Sequence, residues 1–128
     1  MKRVMLFRLW TVLAVAFVSG CRDSEQSRLD QLESILPHVR KMPEGRHPAH
    51  SLPPEIRVPG SSQFVVDHRG IYSFEFMSGV TIGSNPAFVY VDSALADPEE
   101  RAKEICKTAS LIYDGSGSRP GWYRAHGQ

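Results

Sequence analysis

The segment Gln63-Phe64-Val65-Val66-Asp67-His68-Arg69-Gly70-Ile71-Tyr72-Ser73-Phe74-Glu75-Phe76-Met77 decides the fold. Phe64 to Val66 is a β-branched and aromatic run, and Ile71 to Met77 alternates Tyr72, Phe74 and Phe76 with Ser73 and Glu75. A period of two puts alternate side chains on opposite faces of a strand, so one face here is aromatic and the other mixed. Between the runs, Asp67 suits the start of a tight turn and Gly70 tolerates positive φ. The reading is an antiparallel hairpin, with His68 at its tip explained by turn chemistry.

Working outward, Ala87 to Asp92 is a third strand, with Phe88 and Tyr90 on one face and Val89 and Val91 on the other. Gly79 to Pro86 is the longer connection before it. Asp97 to Tyr113 reads as an amphipathic helix. Asp97 is its expected cap, Pro98 its first residue and Glu100 the completion of a capping box. Ala102, Ile105, Cys106, Ala109, Ile112 and Tyr113 form its apolar stripe. Glu99–Lys103 and Glu104–Lys107 pair on its outer side, and Asp114-Gly115 ends it. In the Gly- and Ser-rich tail from Ser116, Trp122-Tyr123 is an expected edge strand.

On the other side, residues 43–62 hold five of the nine prolines (Pro43, Pro48, Pro53, Pro54, Pro59). This predicts an extended or irregular arm with one helical turn near Pro54–Arg57. Leu52, Ile56 and Val58 are its apolar handles on the domain. Leu29, Leu32, Leu36 and Val39, with Ile35, recur at helical spacing. They predict a short helix from Asp23 to Leu36, capped at Asp23 or Ser24 and stopped or kinked by Pro37. The fold class is α+β: a small antiparallel sheet of three to four strands packed against a C-terminal amphipathic helix, with a short N-terminal helix and a Pro-rich arm. The helix covers one face of the sheet. Val65, Ile71, Met77, Val89 and Val91 then need the first helix, the arm, the tail or a partner as cover.

The first residues read as an address. Lys2 and Arg3 precede an apolar stretch from Val4 to Val18, interrupted by Arg8. Its unbroken part, Leu9 to Val18, is far short of the ~20 residues a spanning helix needs and matches a signal-peptide core. It ends in Val18-Ser19-Gly20-Cys21. This V-S-G-C sequence resembles the lipobox of bacterial lipoprotein precursors. The resemblance implies cleavage after Gly20, a diacylglycerol thioether on Cys21 and acylation, typically palmitate, of the new amino terminus. Two or more chains hold a protein stably on a bilayer, where one holds it marginally. Arg22, where retention in the inner membrane favours Asp, points to the periplasmic face of the outer membrane. The domain reading is therefore 1–20 signal peptide, 21–42 anchored N-terminus and short helix, 43–62 linker or arm, and 63–128 folded domain.

Charge and cysteine count then narrow the function. The chain of 128 residues carries 15 basic and 14 acidic side chains. Loss of Lys2, Arg3 and Arg8 leaves 12 basic against 14 acidic, a formal charge of −2. That balance points to no nucleic acid. With Cys21 carrying lipid, Cys106 has no partner for an internal disulfide and reads as a buried hydrophobe.

Chemistry-bearing patterns are sparse. His47 and His50 form H-x-x-H, but two ligands in a proline-rich loop fall short of a zinc set, and no metal or cofactor is expected. Gly79-Val80-Thr81-Ile82-Gly83 imitates a nucleophile elbow but lacks the strand-to-helix context. Gly115-Ser116-Gly117 with Gly121 misses the dinucleotide spacing by one residue. Glu75 and Asp92 are the carboxylates with a route to each other on neighbouring strands. The expected function is non-catalytic: an envelope lipoprotein that binds another protein in an inhibitor, immunity-type or assembly-accessory role. The alternative is a small-ligand or cell-wall-fragment binder using Tyr72, Phe74, Tyr90, Trp122 or Tyr123 as stacking surface.

Overall fold

A computed structural model describes residues 25–77 and 85–127. The leader, Cys21, the cap at Asp23 or Ser24 and the Gly79–Gly83 segment lie outside the described residues. The chain divides into two compact units, Met1–Ser34 and Ile35–Gln128. Helix α1 spans 25–39, and its described part in the first unit is residues 25–34. Leu29 and Leu32, then Ile35, Leu36 and Val39 in the second unit, are its buried positions, which is the apolar stripe read from the sequence. The helix runs through Pro37. One turn later it closes with the Arg40 amide donating to Leu36 O at 2.9 Å and the Lys41 amide to His38 O at 3.1 Å. Proline's missing N–H costs little where the helix is ending anyway.

The second unit is a six-stranded antiparallel sheet with a helix on one face. Its strands are β1 (Gly45–Pro48), β2 (Ser61–Asp67), β3 (Ile71–Phe76), β4 (Pro86–Val91), β5 (Leu111–Ser116) and β6 (Trp122–Gly127). They lie in the order β1-β2-β3-β4-β6-β5. Helix α2 (Pro98–Ala109) connects β4 to β5. The β2–β3 hairpin has the expected register, with Asp67 opposite Ile71 and Val66 opposite Tyr72. At its tip the Gly70 amide donates to Asp67 O at 3.0 Å and the Arg69 amide to Asp67 Oδ1 at 2.9 Å. Gly70 adopts φ +94°.

Several expectations are corrected. The sheet has six strands, not three or four. The arm supplies β1 and two 3-10 turns, Ala49–Ser51 and Pro54–Ile56, the second close to where a helical turn was expected. Arg57 ties these turns together, its Nε donating to Leu52 O at 2.7 Å and its Nη2 to His50 O at 2.9 Å. The C-terminal helix ends at Ala109, so Ile112 and Tyr113 belong to β5. Ser110 turns into the left-handed region (φ 60°, ψ 44°), with its amide donating to Cys106 O and Lys107 O. Asp114-Gly115 is a β-bulge, where Gly115 has φ +105°. Finally, Trp122-Tyr123 begins an interior strand lying between β4 and β5, not an edge.

The face covered by α2 is also the reverse of the expected one. Ala102, Ile105, Cys106 and Ala109 pack on Val65, Ile71, Ala87, Val89, Val91, Leu111 and Ala125. Full burial of a side chain such as Ile105 stabilises by about 1.5–3 kcal/mol. The aromatic residues line the opposite face, where His47 of β1 stacks on Phe64 at 5.3 Å between centroids; in the arm Ala49, Leu52 and Val58 are buried. Small valines and alanines let a helix approach the sheet closely.

The N-terminus of α2 also departs from its reading. Asp97 sits at φ 50° and makes no side-chain capping bond. Pro98 does occupy the first turn. The Arg101 amide makes the helix's first i to i−4 bond, to Asp97 O at 3.1 Å, and the Arg101 Nε donates to Ala96 O at 2.7 Å. Lys103 approaches Glu99 at 3.9 Å and Glu100 at 3.4 Å, and Glu104 faces Arg69 at 3.6 Å.

Candidate functional site

The five rings proposed as a stacking surface divide between the faces. Tyr72, Phe74, Tyr90 and Trp122 share the aromatic face. Trp122 lies 6.1 Å from Phe74 and 5.0 Å from Tyr90, and Tyr72 lies 6.4 Å from Tyr90. Tyr72, Phe74 and Trp122 are 4%, 1% and 1% exposed, so their faces are spent on packing. Tyr123 is on the α2 face, 6.2 Å from Tyr113. Phe64 and Phe74 (6.2 Å) and Phe76 and Phe88 (6.1 Å) extend the same aromatic core. Offset and edge contacts of this kind add about 0.5–1.5 kcal/mol each beyond area burial.

A polar cluster that no sequence pattern flagged lies at the hairpin end of the sheet. Arg40, just beyond α1, donates from Nη2 to Asp92 Oδ1 at 3.0 Å and stands 6.0 Å from the Tyr90 ring centroid. It also hydrogen-bonds Tyr72, whose hydroxyl is pushed up by burial and then by the charge of Asp92. The Asp92 amide donates back to Gly70 O at 2.9 Å. Beside it, Arg69 forms a two-pronged contact with Asp67, at 3.1 Å and 2.8 Å to Oδ2. The Arg69 bond is the largest influence holding the Asp67 carboxyl below its usual range. Arg40 and Asp92 are 52 residues apart, a separation that no local motif spans.

Other candidates are engaged elsewhere. Glu75 pairs opposite Ala87 and accepts from Gln63 Nε2 at 2.5 Å, while Asp92 follows the far end of β4, so these carboxylates do not meet. His47 Nε2 contacts Pro43 O at 2.6 Å and His68 Nε2 contacts Met42 O at 3.0 Å. Among the described residues, no group of three or more His, Cys, Asp or Glu converges as a metal site would require. Cys106 is buried and unpaired, and burial followed by the charge of Asp114 pushes its thiol up to about 11. It is a packed apolar side chain, not an activated nucleophile.

Among the described residues two large hydrophobics are exposed: Met77, just beyond β3, at 67%, which nothing described covers, and Ile112 on β5 at 45%. On the same face His126 Nδ1 contacts Asp114 Oδ2, and Arg124 is exposed. The 116–122 loop encloses a shallow, open concavity with Ser116, Ser118, Arg119 and Trp122 in its wall. Its shape is set by the Gly117 amide donating to Trp122 O at 2.8 Å and the Trp122 amide to Arg119 O at 3.1 Å. A Cβ on Gly117 would lie 2.9 Å from Trp122 O, which demands glycine there. The bulge at Asp114 brings this carboxylate to His126, a pair that the expected helix stop at Asp114-Gly115 does not foresee. Hydroxyls, a guanidinium and an apolar flank over an open, shallow surface suit another macromolecule better than an enclosed small molecule. No family model, no curated protein and no solved structure matches this chain.

Proposed function

We propose that this chain is a bacterial cell-envelope lipoprotein, anchored through lipid on Cys21, whose folded part is a non-catalytic protein-binding module. The observation that carries the proposal is the V-S-G-C sequence at residues 18–21 after a short, basic-started apolar leader. What supports it in the fold is that, among the described residues, both faces of β2 to β4 are filled by the chain's own side chains, while Ile112 and the 116–122 loop stay accessible. The outer membrane's periplasmic face is the proposed location, with an inhibitor, immunity-type or assembly-accessory role. The small-ligand alternative is weakened by burial of Tyr72, Phe74 and Trp122. It keeps only Tyr90 and Tyr123 partly open, and these lie on opposite faces of the sheet.

Two measurements test this reading on the full chain. Intact-mass analysis of membrane-extracted protein should give a species that starts at Cys21 and bears diacylglycerol; an unmodified thiol there, or an intact leader on a soluble molecule, refutes the anchor. A photo-crosslinker at Arg119 should capture one defined envelope protein in cells. No adduct, together with a raised melting temperature on adding muropeptides or a phospholipid, favours the small-ligand reading instead.

A further inference from the structure

We infer that Asp114-Gly115 is a site of spontaneous covalent modification, where the Gly115 nitrogen closes on the Asp114 carboxyl to a succinimide that reopens as isoaspartate, and that His126 restrains the closure by holding that carboxyl on the neighbouring strand. The inference rests on the fold and does not depend on the lipid anchor. Ring closure needs a following residue with an N–H and no side chain to crowd the attack, a carboxyl group open to solvent, and a backbone that departs from a regular ladder. Asp114 is the one aspartate of the chain followed by glycine, and the single asparagine, Asn85, precedes proline. Elsewhere in the described chain, Asp30, Asp67 and Asp92 precede Gln31, His68 and Ser93, which bear side chains, and Asp97 precedes Pro98, which has no N–H. The Asp114 side chain is 41% exposed. The register of β5 on β6 passes from Tyr113 opposite Ala125 to Gly115 opposite Arg124, so Asp114 has no Cα partner across the ladder. A bulge leaves its extra residue unpaired in this way. A Cβ on Gly115 would meet nothing within 4 Å, so open space lies beside the bond that must rearrange.

The chemistry balances with water as its only co-reactant. The Gly115 nitrogen forms a bond to Asp114 Cγ, the carboxyl loses its hydroxyl, and that oxygen leaves as water with the nitrogen's proton. Water then opens the ring at either carbonyl. Addition at Cγ restores aspartate. Addition at the former backbone carbonyl gives isoaspartate, in which the chain runs through the side-chain methylene and β5 gains one backbone carbon. In the folded chain Asp114 Oδ2 contacts His126 Nδ1, and the His126 side chain is 30% exposed. The carboxyl must give up this contact before it turns towards its own backbone, which makes His126 a positioning residue. A part-exposed pair of this kind slows the closure by about two- to fivefold. Isoaspartate also shifts the carboxylate along the chain and away from His126, just before the residues that lead into the 116–122 loop.

Ageing the folded full chain at neutral pH tests both halves of the inference, with isoaspartate located by electron-transfer fragmentation of its peptides and counted by isoaspartyl methyltransferase labelling. Isoaspartate should accumulate at Asp114 ahead of the internal comparator Asp92-Ser93. His126→Ala should accumulate it about two- to fivefold faster than the parent at unchanged circular dichroism. His126→Gln, whose amide can donate to the same carboxylate, should stay near the parent rate. His126→Leu keeps a side chain beside Ile112, its partner across the ladder, but has no donor. It should match His126→Ala, which separates the lost contact from lost packing. No isoaspartate at Asp114 in the folded chains, isoaspartate that forms only in urea, or an equal or higher level at Asp92-Ser93 overturns the site. His126→Ala and His126→Leu ageing at the parent rate, or more slowly, overturns the restraint.

Discussion

Gly70→Ala is the most informative single substitution in this fold, because it tests the joint between the hairpin, β4 and α1. Gly70 has φ +94°, where an L side chain is strained. An added Cβ would lie 2.5 Å from Asp92 Oδ2 and 3.1 Å from Asp92 Cβ. The strain costs about 1–3 kcal/mol. Rotating the carboxylate away also forfeits the Arg40–Asp92 pair, whose side chains are 42% and 33% exposed; such a partly exposed pair contributes about 0.2–1 kcal/mol. The expected loss is about 2–3 kcal/mol, read as a lower urea midpoint at unchanged slope. The cause is separable. In an Asp92→Ala background the offending oxygen is gone, so Gly70→Ala should cost about 1 kcal/mol less than in the parent. In Asp92→Asn, which keeps an atom at the Oδ2 position, the cost should stay near its full value. A Gly70→Ala penalty below ~0.5 kcal/mol, or equal penalties in the Asp92→Ala background and the parent, would refute the reasoning.

The remaining expectations concern the core, the thiol and the helix end. Trp122→Ala removes a ring packed between Phe74 and Tyr90 and should cost about 3–5 kcal/mol in thermal or urea unfolding; a loss under ~1 kcal/mol would contradict its burial. Cys106 should resist alkylation at pH 8 until urea unfolds the chain, because its thiol titrates at about 11 rather than 9.0. The folded state holds that proton more tightly, so its contribution is complete below pH 9.0 and is lost as pH rises towards about 11. Melting temperature should therefore fall over that window, and Cys106→Ala should flatten part of the fall. Ser110→Gly relieves a left-handed non-glycine residue at φ 60° and should stabilise the fold by about 0.5–1 kcal/mol.

Much of the local structure was legible because its signals are local. The alternation from Ile71 to Phe76 made β3, Asp67 to Gly70 made the turn, and the stripe from Leu29 to Val39 made α1. The failures share a cause. Ile112 and Tyr113 continue the spacing of Ala102, Ile105, Cys106 and Ala109, so helical periodicity accepts them. A short apolar run satisfies either period, and strand pairing with β6 won. Asp97-Pro98 has the composition of a cap, but a left-handed backbone at Asp97 withdraws its side chain from the amides. For the candidate site, the rings were readable as residue types but their burial was not. Neither Arg40 beside Asp92 nor Asp114 beside His126 carries any signal in spacing.

By itself, then, the sequence determined the hairpin, the presence of two amphipathic helices, the strand faces and the leader's charge and apolar length, since each depends on residues within a few positions of one another. Only the tertiary structure decided that α2 covers the valine face, that the arm joins the sheet as β1, and that β6 enters between β4 and β5, leaving β5 at the edge. A strand's period says which side chains share a face. Which strand it pairs with, and which helix covers it, is settled by competition among distant segments for the same backbone donors and the same apolar surface.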